Sequence, residues 1–173
     1  DYRKLLERKD IDAIFCATVD HWHTPITCDA MESGKHVYVE KPMTRYLDEA
    51  FRIEDTAKKT GKLVQVGSQG CSDQKWHQAA AWIKAGKIGP IVMTQGSYMR
   101  NNPWGEWNYD IQPWAKPDDI NWNLWLGKQI KRAQSFDADH YFRWRKYYPY
   151  CSGLLGVLFP HKLHPYMLAH GNP

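Results

Sequence analysis

No stretch of this 173-residue sequence approaches the roughly 18 consecutive apolar residues that a membrane-spanning helix needs. The opening Asp1-Tyr2-Arg3-Lys4 is polar and carries no signal-peptide core. Cysteine is scarce: Cys16, Cys28, Cys71 and Cys151 stand far apart with no CxxC pair, which argues against a zinc knuckle or a disulfide framework, and they read as reduced thiols. Concentrated charge is missing too, since 23 basic residues against 19 acidic ones give only +4, and the basic ones are scattered apart from Arg143, Arg145 and Lys146. Neither a nucleic-acid partner nor a membrane partner is expected from such a pattern. No internal repeat or low-complexity segment is present. Large aromatics are abundant, with nine Trp and ten Tyr concentrated between Tyr98 and Tyr150. That content suits a carbohydrate-facing cleft, and it equally suits a core. The 43% hydrophobic and 24% charged fractions suit a globular protein of one domain or two small ones.

The first part of the chain alternates helix and strand. Tyr2 to Arg8 reads as the end of an amphipathic helix, and Ala13-Ile14-Phe15-Cys16-Ala17 as a buried strand. A polar turn, Thr18 to His23, leads into a helix with Pro25 in its first turn and Gly34 as its stop. Val37 to Val39 form a second strand. Tyr46 to Thr60 then read as a helix with Ala50, Phe51, Ile53 and Ala57 on one side, and Leu63 to Val66 as a third strand. Repeated helix and strand with short connections predicts a parallel sheet. Beyond Gly67 the style changes. A helix is expected over Trp76 to Ala85, and an antiparallel strand over Ile91 to Met99. Asn101 to Asn121 reads as a packed loop over a site, with Pro103, Pro113 and Pro117 among tryptophans. A helical turn over Asn121 to Leu126, an extended or partly helical Phe142 to Tyr148, and a helix over Leu154 to Ala169 with its apolar face toward a sheet complete the chain.

Glu40-Lys41-Pro42 closes the second strand, because Pro42 has no N–H to give to a ladder. Lys41 therefore stands at the carboxyl end of a parallel strand, the edge at which open α/β sheets do chemistry. A lysine there, held by the preceding glutamate, is suited to exchange a proton or hydrogen bond with a substrate oxygen.

Four segments can be taken together: Ala17-Thr18-Val19-Asp20-His21-Trp22-His23-Thr24-Pro25, then Glu40-Lys41-Pro42, then Val66-Gly67-Ser68-Gln69, then Gly156 to His161. In order and spacing they resemble the Gfo/Idh/MocA family of nicotinamide-dependent sugar oxidoreductases. The resemblance implies an α/β fold: residues 1–70 as the C-terminal half of a Rossmann-type parallel sheet, and residues 71–173 as the start of an α+β substrate domain with an open, mainly antiparallel sheet. It implies NAD or NADP as cofactor, a sugar-like substrate and a homo-oligomer. Thr18, Val19, His21, Trp22, His23, Glu40, Lys41 and Gln69 would line the cofactor, and Trp144-Arg145 would lie against it or a neighbouring subunit. On the residues alone, His21 and His23 read equally well as stiffening their turn and Trp144-Arg145 as a stacked surface pair, while His164 reads more readily as packing before Pro165.

The chain departs from the family pattern in three places. The glycine-rich G-x-G-x-x-G turn is absent, the sequence stops at Gly171-Asn172-Pro173, and the chain therefore reads as a fragment or an incompletely represented protein. The compartment, cytoplasmic or exported, stays open because a leader would precede Asp1. Third, relatives commonly carry D-x-x-x-H where this chain reads Val157 to His161, so Val157 replaces the aspartate and His161 is kept. Offsets of four and seven from Val157 put His161 and His164 on one helical face. The resemblance implies hydride transfer to or from a sugar or cyclitol carbon, with His161 as base and Lys41 polarising the same oxygen, and the shared helical face lets His164 approach the same substrate pocket. Two rivals are implied: a glycoside hydrolase that uses bound NAD for transient oxidation and elimination, although such relatives often alter the lysine retained here, and a non-catalytic sugar-binding or assembly subunit, suggested by Val157.

Overall fold

The computed structural model describes residues 1–113, 116–130 and 135–171. Its elements in chain order are α1 (Arg3–Leu6), β1 (Ala13–Cys16), α2 (His23–Glu32), β2 (His36–Glu40), α3 (Leu47–Thr60), β3 (Val64–Gly67), α4 (Gln74–Lys84), α5 (Trp122–Leu126), α6 (Ala138–Phe142), α7 (Gly153–Leu158) and α8 (Pro160–His170). The three strands form one parallel sheet in the order β1-β2-β3, with Cys16 opposite Val39 and Glu40 opposite Gly67. All three strands therefore deliver their carboxyl ends, and the turns that follow, to a single edge. The protein is α/β, as its alternation of helix and strand predicts.

Local chemistry explains the boundaries. Helix α3 starts where Glu49 Oε2 accepts the backbone N–H groups of Tyr46 (3.1 Å) and Arg45 (2.9 Å), leaving fewer orphan donors in the first turn. Asp48 and Glu49 stand in its first turn and Lys58 and Lys59 in its last, matching the helix dipole. It ends at Gly61, where a φ of 67° suits a residue without Cβ. Helix α2 stops just before Gly34, whose φ is 85°.

One face of the sheet is covered by α2 and α3. Val37, Val39, Cys16, Ile26, Met31 and Ile53 are all buried there, each large aliphatic contributing about 1.5–3 kcal/mol through removal from water. The opposite face is open. Phe15 is 65% exposed and stacks on Tyr38 at 4.6 Å between ring centroids. The expectation of a fully buried first strand is therefore corrected: successive side chains point to opposite faces, and only the Cys16 side is covered. Phe51, expected on the inner side of α3, is 57% exposed.

A second aromatic cluster gathers Trp122, Leu126, Trp144, Tyr150, Cys151, Val157 and Leu158. Trp122 and Trp125 stack at 4.8 Å with rings 11° from parallel. The two clusters are joined by polar contacts with buried ends: Trp22 Nε1 donates to Trp125 O (2.7 Å), and Asp20 Oδ2 accepts from Ser152 N (3.1 Å) and Oγ (3.3 Å).

Several expectations for the second half are corrected. Ile91 to Met99 form no strand, and Val92, Met93 and Met99 are exposed. Among the described residues no antiparallel sheet is present. The helix expected over Leu154 to Ala169 is two helices, because Pro160 lacks the N–H that would continue α7 and instead opens α8. Helix α8 packs on α4, with Trp76 edge-on to Tyr166 at 5.3 Å. Leu154, Leu155 and Phe159 face solvent instead of a sheet. The stretch Asn101 to Asn121 is largely irregular as expected, but most of its described side chains are exposed; Trp114 and Ala115 lie outside the described residues, as do Asn172 and Pro173.

Candidate active site

Lys41 sits at the carboxyl end of β2, and its Nζ donates to the backbone carbonyl of Val157 at 3.0 Å. That bond brings the Glu-Lys-Pro turn against the end of α7, four residues before His161. The Lys41–Pro42 peptide is cis. His161 is half-buried, and burial together with the positive charge of Lys41 holds its imidazole below the ordinary histidine value. Its ring lies 6.3 Å from that of Tyr98. A neutral imidazole beside an ammonium group pairs a proton acceptor with a cation that can polarise an oxygen.

Glu40 is fixed from three sides. Its Oε1 accepts from Gln69 Nε2 at 2.6 Å, its Oε2 from the Lys41 backbone N–H at 3.3 Å, and its carboxyl group lies over Gly67. A Cβ at Gly67 would stand 2.9 Å from the Glu40 carboxyl carbon, so the glycine creates the seat. Gln69 Nε2 also donates to the Tyr38 hydroxyl at 3.1 Å. Tyr38 and Ser68 were not singled out as site residues from the sequence. The period of β2, which buries Val37 and Val39 and sends Tyr38 to the other face, is the signal that points to the first.

His164 approaches the same region from α8. Its Nδ1 lies 2.5 Å from Ser68 Oγ, and burial holds its imidazole below the ordinary value. Both line a cavity of about 770 Å³ with Pro42, Thr44, Cys71 and His77. Lys41 and His161 stand outside the wall of this cavity.

The turn after β1 behaves differently. Thr18 is exposed and Val19 half-buried, at the same sheet edge as Glu40 and Gln69. The side chains of His21, Trp22 and His23 are buried and touch protein. His23 bonds Pro42 O through Nδ1 (2.6 Å) and Thr18 O through Nε2 (3.2 Å), tying the first two strand ends together. His21 Nε2 and Trp22 Nε1 both meet Trp125 O, at 2.9 and 2.7 Å. Burial pushes the His21 imidazole down to about 4, so the ring is neutral and donates from Nε2. These three side chains hold the turns of the edge together. Trp144 is buried in the second cluster, so the pair does not lie on the surface, and Arg145 stacks over the indole at 4.1 Å. Asp20, buried beside them, is pushed up by burial against the pull of the Ser152 N–H.

Parallel strands that gather a carboxylate, an amide and an ammonium at one carboxyl edge define an α/β protein of the dinucleotide-binding type. Residues 1–68 match the Gfo/Idh/MocA family model, an oxidoreductase family with an NAD-binding Rossmann fold. The chain is 32% identical over 103 residues to an alpha-N-acetylgalactosaminidase of Shewanella oneidensis, a match covering 60% of this chain and 22% of that protein. It is 31% identical over 103 residues to a glycosyl hydrolase family 109 protein of Shewanella baltica, again 60% of this chain and 22% of the relative. The match thus spans about a fifth of the length of these curated relatives. Among solved structures, an inositol dehydrogenase homologue from Azotobacter vinelandii, complexed with NADH and myo-inositol, is 36% identical with a TM-score of 0.50, over 51% of this chain and 25% of that one. A myo-inositol 2-dehydrogenase from Lactobacillus plantarum is 27% identical with a TM-score of 0.50, over 53% and 27%.

The family model matched by residues 1–68 describes a fold that binds a nicotinamide dinucleotide. The donor set suits one: the Glu40 carboxylate, seated by the missing Cβ of Gly67, and the exposed Gln69 amide and Thr18 hydroxyl offer the acceptors and donors that ribose hydroxyls need.

Proposed function

We propose that the protein takes part in hydride transfer between a nicotinamide dinucleotide and a hydroxyl-bearing carbon of a sugar, sugar derivative or cyclitol, with residues 1–70 serving the cofactor and residues 71–173 the substrate. The observation that carries this reading is the bond from Lys41 Nζ to Val157 O at 3.0 Å, which joins the strand-end lysine to the segment bearing His161. A bound nicotinamide supplies the hydride acceptor or donor. Lys41 donates to the substrate oxygen and favours its developing negative charge, and His161, neutral through burial and the nearby ammonium, accepts the hydroxyl proton. Thr18, Val19, Glu40 and Gln69 hold the ribose side, while Ser68 and His164 meet a further hydroxyl of the substrate. The myo-inositol and NADH bound in the Azotobacter vinelandii homologue support a polyhydroxylated ring as substrate. Replacing Lys41 by Ala is expected to lower turnover by about 10²–10⁴ and to leave NAD(H) affinity within a few-fold, both followed by nicotinamide fluorescence. Unchanged turnover rejects the assignment.

A second reading is favoured by one observation, the identity to an alpha-N-acetylgalactosaminidase. In that case the same edge would serve transient oxidation and elimination of a glycoside. Release of nitrophenol from a nitrophenyl glycoside with no net NADH accumulation selects it over the dehydrogenase.

A further inference from the structure

Beyond the Lys41 edge, the loop around Trp104 encloses a cavity of about 1020 Å³. Exposed loops bury little backbone and are usually held loosely, but this one is pinned. Trp104 N–H donates to Asn102 Oδ1 (3.0 Å), Asn108 Nδ2 donates back to Trp104 O (2.6 Å), and Arg143 Nε donates to Tyr109 O (2.8 Å). The Tyr109 hydroxyl also donates to Phe142 O. With its backbone fixed, the loop presents Trp104 at 78% exposure and Tyr109 at 48%. Trp107 has a φ of 65°, a left-handed conformation that a bulky residue adopts only when its surroundings impose it. Those surroundings are two guanidinium groups: Arg100 lies 5.5 Å and Arg145 5.0 Å from the Trp107 ring.

The cavity also adjoins the reacting edge. The Arg100 guanidinium lies 5.4 Å from the Tyr98 ring, and Tyr98 lies 6.3 Å from the His161 ring. Neighbouring planar groups therefore run from His161 through Tyr98 to Arg100 in the cavity lining. Among the lining side chains, Arg100 is paired with Glu106 at 3.0 Å and Asp110 adds a second carboxylate, so the lining itself is not cationic. Exposed indole and phenol faces rimmed by Asn and acidic groups suit the apolar faces and the hydroxyls of neutral sugar rings. The volume exceeds what a single small ring fills.

We propose that this cavity is a binding subsite for the non-reacting rings of a neutral oligosaccharide, with Trp104 as the stacking platform and His161 marking the reacting end. The assignment of a reacting end rests on the function proposed above. The test is titration of the protein with a panel of neutral disaccharides (cellobiose, chitobiose, lactose, maltose) and with digalacturonate, read by tryptophan fluorescence and calorimetry without cofactor. At least one neutral disaccharide is expected to bind, and digalacturonate to bind about tenfold more weakly or not at all. Trp104→Ala should weaken the neutral ligand by about tenfold and Trp104→Tyr should restore most of it, with unchanged circular dichroism because the side chain is exposed. No binding by any neutral disaccharide, or equal affinity in Trp104→Ala, overturns the subsite. Turnover of a monosaccharide with no disaccharide binding overturns the subsite and leaves the proposed reaction standing. Disaccharide binding sensitive to Trp104 with no hydride transfer supports the subsite and removes the reaction.

Discussion

Val157 offers its backbone carbonyl to Lys41 and its side chain to the aromatic cluster of Trp144, Tyr150 and Leu158. The family resemblance expects a carboxylate at this position, but the side chain present is 3% exposed among apolar neighbours. Val157→Asp therefore bears on both turnover and stability. Turnover should rise only if the new carboxylate turns out of that cluster toward His161 and Lys41, and stability at neutral pH should fall by more than about 2 kcal/mol because the carboxylate is buried. Burial raises the folded-state pKa of such a carboxyl above its unfolded value, so the penalty is present where the group is ionised and shrinks as pH falls through the raised value. Urea midpoints at neutral and acidic pH, beside a nicotinamide assay, check both. Thr27 is the opposite case. It is 0% exposed and its Oγ1 has no hydrogen-bond partner among the described residues. Replacing that hydroxyl with the methyl of Thr27→Val should stabilise by about 1–2 kcal/mol, since the desolvated hydroxyl is removed at nearly constant shape. A lower urea midpoint in the variant would contradict this.

The elements that can be read in the sequence are those whose local chemistry agrees with their packing. Helix α3 carries its Glu49 cap, its charge gradient and its Gly61 stop in the sequence itself, and the three strands announce themselves by short apolar runs, the second closed by Pro42 and the third by Gly67. Ile91 to Met99 shows the limit. Its alternation meets the strand pattern, yet a strand exists only with a partner to share its hydrogen bonds, and none of the described residues supplies one. Phe15 fails for a related reason, because an apolar side chain does not state which face of a sheet is covered. At the site, Glu40, Lys41, Gln69 and His161 were legible as strand-end and helix-face residues, whereas the seat made by Gly67 depends on a register between β2 and β3 that no linear pattern displays. Gly67→Ala tests that seat. With Cβ only 2.9 Å from the Glu40 carboxyl carbon, the variant should lose about 1–3 kcal/mol by overpacking and weaken NAD(H) binding as Glu40 leaves Gln69. Parental stability together with parental cofactor affinity would show that the carboxylate has another position of equal energy.

Across the whole molecule, the sheet core and the aromatic cluster are joined at a few points, and His21 stands in the middle of them. Its Nε2 and Trp22 Nε1 share Trp125 O, Gln129 Nε2 donates to His21 O at 3.1 Å, and its ring lies 5.3 Å from Trp125 and 5.7 Å from Tyr150. Arg45 and His23 face the ring and both disfavour its protonation, after the larger effect of burial. The folded-state value of about 4 lies below the model-peptide value of 6.5. As pH falls through about 6.5 the unfolded chain takes up the proton first, so stability contributed by neutral His21 is complete above that pH and declines until the folded ring titrates near 4. A difference of this size corresponds to roughly 3 kcal/mol, and His161 and His164, also held down by burial, add to it with the same sign. His21→Gln keeps an N–H to offer Trp125 O but cannot titrate. Its urea midpoint is expected to be lower than that of the parent at neutral pH, yet to change much less between pH values of about 6.5 and about 4, because the largest of the three histidine contributions is gone. Parallel pH profiles for the two proteins would show that the clusters are joined in a way that does not depend on a neutral ring at this position.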